Sequence, residues 1–271
     1  MKFNEKLEKI VEKNNSLLCV GLDIDKDKMP KFLFEDSKEP YLDFNKSIID
    51  STKDLVCAYK LNMAFYELFG SEGFKLLEKT ISYIPKDVVI ILDGKRNDIG
   101  NTAKKYAKSI FEYFKADATT VNPYLGMDGV KPFLEYKEKC SFILCRTSNN
   151  SARDFQDLTI NNKSFFEIVA NKIKDWNSFK NCGAVVGATY PEELKKVRKI
   201  LGEDVPFLIP GVGKQGGDIE KTLRFGLNKD KKMAIINSSR GIIFSGDNEE
   251  YIDSVRSSAN NLKDIINKFR Y

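Results

Sequence analysis

The chain has 271 residues, 42% hydrophobic and 31% charged, with 44 Lys and Arg against 39 Asp and Glu for a net charge of +5. That is enough chain for a large core, and about 250 residues is the usual size of one α/β barrel. Histidine is absent, which excludes Ser-His-Asp and Cys-His catalysis and removes the commonest zinc ligand.

The first segment, "MKFNEKLEKIVEKNNS", predicts an amphipathic helix with Phe3, Leu7, Ile10 and Val11 on one stripe. It has no signal-peptide h-region, and no apolar run reaches the ~18 residues of a membrane span, so a cytoplasmic protein without a membrane partner is expected. Lysines interleave with glutamates in "NEKLEKIVEK" and "PEELKKVRKI", as on solvated helix faces. The mild positive excess suits a small anionic substrate better than a nucleic acid. The five cysteines (Cys19, Cys57, Cys140, Cys145 and Cys182) are odd in number and scattered, which predicts buried reduced thiols.

Farther along, short apolar runs rich in β-branched residues recur between helical patterns. They are "SLLCVGLDI" (16–24), "LVCAYKLN" (55–62), "DVVIILDGK" (87–95), "ATTVNPY" (118–124), "SFILCRTS" (141–148), "GAVVGAT" (183–189), "PFLIPGVG" (206–213) and "MAIINSSR" (233–240). Amphipathic stretches such as "AKKYAKSIFEYFK" and "PEELKKVRKIL" lie between them. Continuous apolar strands alternating with helices predict a parallel sheet buried on both faces. Eight such units predict an α/β fold of one (β/α)8 TIM barrel domain over 1–271, with a doubly wound open sheet as the alternative. The polar segment 148–164 is expected to be a surface connection, and Trp176 and Tyr190 to serve packing or loop anchoring.

Each run begins apolar and ends polar, at Asp23, Lys60 and Asn62, Asp93 and Lys95, Asn122, Thr147 and Ser148, Thr189, Gly211 and Gly213, Ser239 and Arg240. Strand C-termini of a barrel open onto one face, where active sites lie. A lysine after several apolar residues, as at Lys60 or Lys95, is costly to bury without a partner.

The densest such cluster is "ILDGKRNDIGNT" (91–102). Strand alternation puts Asp93 and Lys95 on one side, and Asn97 or Asp98 is placed to cap a helix carrying the stripe Ile99, Ala103, Tyr106, Ile110 and Phe114. Asp98 and Thr102, four apart, share a helix margin. Flanking carboxylates favour the charged form of Lys95, which can then deliver a proton to a developing carbanion. Late in the chain, "IPGVGKQGGD" (209–218) and "NSSRGI" (237–242) follow strands seven and eight. That is where barrels commonly bind phosphate, with glycine amides and Arg240 as donors.

Together "GLDID", "LDGKRNDIGNT", "PGVGKQGGD" and "SSRGI" resemble the orotidine 5′-phosphate decarboxylase family, in its longer-chain (type 2) branch. The resemblance implies cofactor-independent decarboxylation of orotidine 5′-monophosphate to UMP and CO2 in pyrimidine synthesis, with no metal. It implies Lys95 as proton donor to C6, Asp93 beside the departing carboxylate, and a homodimer in which Asp98 and Thr102 reach the neighbouring site. Asp23, Lys60 and Asn62 would serve the ribose, and Ser148 or Thr147 the base edge. Gln215, Arg240 and the amides of Gly213 and Gly241 would hold the phosphate. Metal-dependent sugar-phosphate relatives can carry the same D-x-K-x-x-D pattern, but they place an acid where this chain has Lys60. A non-catalytic nucleotide sensor on the same scaffold is the other alternative.

Overall fold

The computed structural model describes residues 1–212 and 218–271. Eight strands close a barrel in chain order: β1 (Leu18–Gly21), β2 (Ala58–Asn62), β3 (Val89–Arg96), β4 (Ala118–Val121), β5 (Cys140–Arg146), β6 (Cys182–Val186), β7 (Phe207–Pro210) and β8 (Ala234–Ser238). Every barrel pairing is parallel, and β1 pairs with both β2 and β8. The closed sheet decides against the doubly wound alternative.

Parallel neighbours need crossovers, and amphipathic helices supply them. Helix α1 (Phe3–Asn14) precedes the first strand; the chief crossovers are α2 (Pro40–Thr52), α3 (Gly70–Tyr83), α4 (Gly100–Lys108), α5 (Met127–Leu134), α6 (Phe165–Trp176), α7 (Pro191–Leu201) and α8 (Ile219–Gly226), and α9 (Tyr251–Arg270) follows the last strand. No helix among the described residues is long and apolar enough to cross a membrane. All five cysteines are buried and free, as expected.

Helix α1 covers the N-terminal mouth of the barrel. Its predicted stripe, Phe3, Leu7, Ile10 and Val11, is buried, and the Phe3 ring meets Phe142 of β5 edge-on at 5.7 Å. Lys6 Nζ lies 2.6 Å from Asp117 Oδ2, and the same oxygen accepts from Ile90 N–H at 2.9 Å. One carboxylate therefore ties the first helix to the start of β3. With this mouth closed, ligands enter from the opposite rim, where the polar strand ends gather.

Arg198 of α7 closes the same end farther round. Its guanidinium lies 3.6 Å from the Phe207 ring centre and donates to the carbonyls of Gly202, Val205, Gly226 and Met233 at 2.6–3.1 Å. One buried cation thus satisfies the carbonyls of Gly202, Val205 and Gly226, which have no other partner among the described residues and are costly to leave unpaired. It adds a second bond to the Met233 carbonyl, which also accepts from Phe207 N–H. Arg198→Met should lower stability by roughly 3 kcal/mol, read as a lower thermal midpoint. An unchanged midpoint would mean that water replaces the guanidinium at these carbonyls.

Candidate active site

The first three strands build a line of alternating charge. Gly21 ends β1 and sits opposite Lys60 of β2, and Asn62 sits opposite Asp93 of β3. Lys60 Nζ stands 3.7 Å from Asp23 Oδ1 and 3.2 Å from Asp93 Oδ2, and Lys95 Nζ donates to Asp93 Oδ1 at 2.8 Å. The Lys60 and Asp93 side chains are each 7% exposed, whereas Lys95 is 49% exposed. The array therefore has an internal end and one ammonium that a ligand can reach.

The contact between Asp93 and Lys95 is made differently from regular strand alternation. The register between β3 and β4 shifts between Leu92 and Arg96, and Lys95 has φ +46°, in the left-handed region. A non-glycine residue is held there at a cost of order 1–3 kcal/mol. Thr120 of β4 pins the bend: its Oγ1 accepts from Lys95 N–H at 2.9 Å and donates to Asp93 Oδ1 at 2.7 Å. No sequence argument singled out Thr120; its only signal is a hydroxyl inside an apolar run.

Burial works against charge on Asp93, but Lys60, Lys95 and the Thr120 hydroxyl more than compensate and hold its carboxyl at about 2. Burial likewise opposes the Lys60 charge, and the carboxylates of Asp23 and Asp93 overcome it, leaving its pKa raised. At the start of the line, the Ser239 hydroxyl donates to Asp23 Oδ2 at 2.7 Å. Asp23 Oδ1 is buried without a hydrogen-bond partner among the described residues. Gly21 makes the Ser239 contact possible, since a Cβ there would lie 2.8 Å from Ser239 Cβ and Oγ.

Lys60, Asp93 and Lys95 line a cavity of about 620 Å³ together with Thr120 and Ser148. A neighbouring cavity is lined by Asp23, Ser239, Arg240 and Gly241, and the two share Ser148, Pro210 and Asn237. Arg240 makes no ion pair among the described residues. The expected phosphate donors Gln215 and Gly213 lie outside the described residues. Asn62 lines neither cavity: its side-chain oxygen accepts from Ala64 N–H at 3.2 Å and caps the short helix Met63–Glu67.

Asp98 and Thr102 also line neither cavity. Asp98 does not cap α4; the capping position is Ile99, whose N–H donates to Asp98 Oδ1 at 2.8 Å. Nor does Ile99 join the buried stripe, being 55% exposed, as are Leu125 at 44% and Tyr124 at 77%. Gly129 of α5 packs on this corner, where a Cβ would lie 2.8 Å from Asn97 Oδ1 and 3.3 Å from Leu125 Cβ.

Segment 148–164 is more than the surface connection expected. It forms a 3-10 turn (Asn150–Asp154) and a small hairpin pairing Thr159–Ile160 with Lys163–Ser164, and its Asn149, Ala152, Phe155 and Gln156 wall the cavity. Thr147 Oγ1 is engaged twice, accepting from Gln156 Nε2 at 2.9 Å and donating to Asn149 Oδ1 at 2.7 Å. Gly187 gives Ser148 its place, since a Cβ there would meet Ser148 Cα at 2.9 Å.

The family model described as "Orotidine 5'-phosphate decarboxylase / HUMPS family" matches residues 16–255. The chain belongs to this family. A Dehalococcoides mccartyi protein named orotidine 5′-phosphate decarboxylase is 46% identical over all of this chain and 99% of its own, and one of that name from Cellvibrio japonicus is 45% identical over the whole of both. The solved Leishmania donovani OMP decarboxylase superposes with a TM-score of 0.86 at 36% identity, covering all of this chain and 99% of that one. The solved L. donovani UMP synthase superposes with a TM-score of 0.88 at 37% identity, covering all of this chain and 57% of that one. Family membership places the alternating array in a fold shared with proteins named for decarboxylation.

The depressed Asp93 carboxyl links stability to acid. Its contribution, about 2 kcal/mol, is fully present above its ordinary value near 4 and is lost as pH falls through about 2. Denaturant titrations between pH 5 and 2 should show Asp93→Asn losing less stability across that window than the parent. Parallel curves would mean that Asp93 takes up its proton at the same pH folded and unfolded.

Proposed function

We propose that this protein decarboxylates orotidine 5′-monophosphate to UMP and CO2 in de novo pyrimidine synthesis, with neither metal nor cofactor. The observation that carries it is the half-exposed Lys95 ammonium fixed on a buried carboxylate at the cavity wall. When the C6–carboxylate bond breaks, its electron pair stays on C6, a ring carbon with little resonance to disperse it. A cation already in place needs no reorganisation as that charge develops, which is the most effective form of electrostatic catalysis. At about 4 Å and an effective dielectric near 20, one ammonium stabilises a full negative charge by roughly 4 kcal/mol. Lys95 then gives a proton to C6, completing UMP.

Asp93 lies beside the departing carboxylate and anchors Lys95. Asp23 and Lys60 take the ribose hydroxyls, a role supported by the buried Asp23 Oδ1, which has no hydrogen-bond partner among the described residues. Asn62 completes that side. Ser148 reads the base edge, which the double engagement of Thr147 Oγ1 favours. Arg240 and the Gly241 amide, with Gln215 and Gly213, hold the phosphate, whose remote binding energy orders the reacting end. Lys60, set between two carboxylates, stands where a metal-dependent relative would place an acid, and its ammonium would repel a metal cation. Asp98 and Thr102 act in the neighbouring site of a homodimer, a role supported by their lining neither of this chain's two cavities and by the exposed Ile99 and Leu125 at the same corner. The cytoplasm is the compartment proposed for it.

The parent should consume orotidine 5′-monophosphate in EDTA, followed by absorbance, and Lys95→Ala should lose at least about 10³-fold while still binding UMP. Equal rates would remove Lys95 from the mechanism, and loss of turnover in EDTA would favour the metal-dependent alternative. UMP binding without any turnover in the parent would favour the sensor. Mixing Lys95→Ala with Asp98→Ala subunits should restore activity, up to about one site in four with random pairing. No recovery would mean self-contained sites.

A further inference from the structure

We propose that Gln156 is a second base-recognition residue of this site, set in place by Arg146; the assignment rests on the nucleotide reading above. Arg146 ends β5, where the register with β6 shifts, and its side chain is only 1% exposed. A buried guanidinium is expensive unless its donors are used. Here it lies 3.8 Å from the Tyr190 ring centre, pairs with Asp157 Oδ1 at 3.0 Å and donates through Nη1 to Gln156 Oε1 at 3.2 Å. Its Nε has no hydrogen-bond partner among the described residues. For a mere surface connection an apolar residue would serve with less desolvation.

The network leaves Gln156 one orientation. Oε1 accepts from Arg146 and also from Thr147 N–H at 2.8 Å, so a reversed carboxamide would face two donors with a third. Nε2 donates one hydrogen to Thr147 Oγ1 at 2.9 Å, and that hydroxyl passes its own to Asn149 Oδ1 at 2.7 Å. The second Nε2 hydrogen has no partner among the described residues, on a side chain that lines the cavity with Lys95 and Ser148. A fixed amide N–H is a donor for a carbonyl oxygen, which is what the edge of a pyrimidinedione presents. Arg146 touches no ligand in this arrangement; it acts through Gln156 as a positioning residue.

The test compares UMP with ribose 5-phosphate, which shares the sugar and phosphate but has no base, by calorimetry on the full-length protein. Gln156→Leu removes the amide, whereas Gln156→Glu keeps an acceptor for Arg146 and the Thr147 N–H but offers no N–H. Both should weaken UMP about tenfold and leave ribose 5-phosphate unchanged. Arg146→Met should do the same and add little when combined with Gln156→Leu, because the two act through one contact. A purely structural role predicts instead that Gln156→Glu binds UMP like the parent, or that both ligands weaken together, and either result overturns the assignment. A parent that fails to bind UMP removes the nucleotide reading and this assignment with it; normal UMP binding in the parent and all variants removes this assignment alone.

Discussion

A single carboxylate organises the reactive end of this barrel. Asp93 is almost wholly enclosed, yet it remains ionised because two ammonium groups and the Thr120 hydroxyl surround it. Each neighbour depends on it in turn. Without Asp93, Lys60 would be a buried cation with its next carboxylate 3.7 Å away, and Lys95 would lose its one ion pair among the described residues. Buried ion pairs are poor sources of stability, because desolvation consumes most of the Coulombic gain. Their persistence at strand ends, with one ammonium left half open, fits a site prepared to meet developing charge rather than a device for holding the fold.

The barrel makes that preparation possible. Parallel strands deliver Asp23, Lys60 and Asp93 at successive positions around one rim, while α1 and Arg198 close the other end with apolar packing and carbonyl contacts. Rigidity therefore sits on one side and chemistry on the other. The walls of the cavity come from longer excursions, above all residues 148–164, where side-chain hydrogen bonds do the work that a sheet ladder does elsewhere.

The architecture was legible because strand and helix periodicities differ so clearly: all eight apolar runs became barrel strands within a few residues of the expected bounds. That Asp23, Lys60, Asp93, Lys95, Ser148 and Arg240 line the two cavities was legible for a second reason, since polar residues that interrupt apolar runs at one end converge when the sheet closes. What failed was local backbone detail. Asn97 or Asp98 was expected to cap α4 and Ile99 to be buried, but the capping position is Ile99, which is exposed, and the regular alternation through Asp93 and Lys95 is broken by a register shift. Thr120 acts through a hydrogen bond to Asp93 on the neighbouring strand, and Gln156 through bonds that a loop folds back onto Arg146 and Thr147; no period reports either.

A crystal structure with UMP bound tests the central claim most directly. The account predicts C6 of the base within about 3.5 Å of Lys95 Nζ, the ribose hydroxyls on Asp23 and Lys60, and the phosphate against Arg240. A nucleotide with its base turned away from Lys95, or its phosphate seated on the charged array, would contradict it.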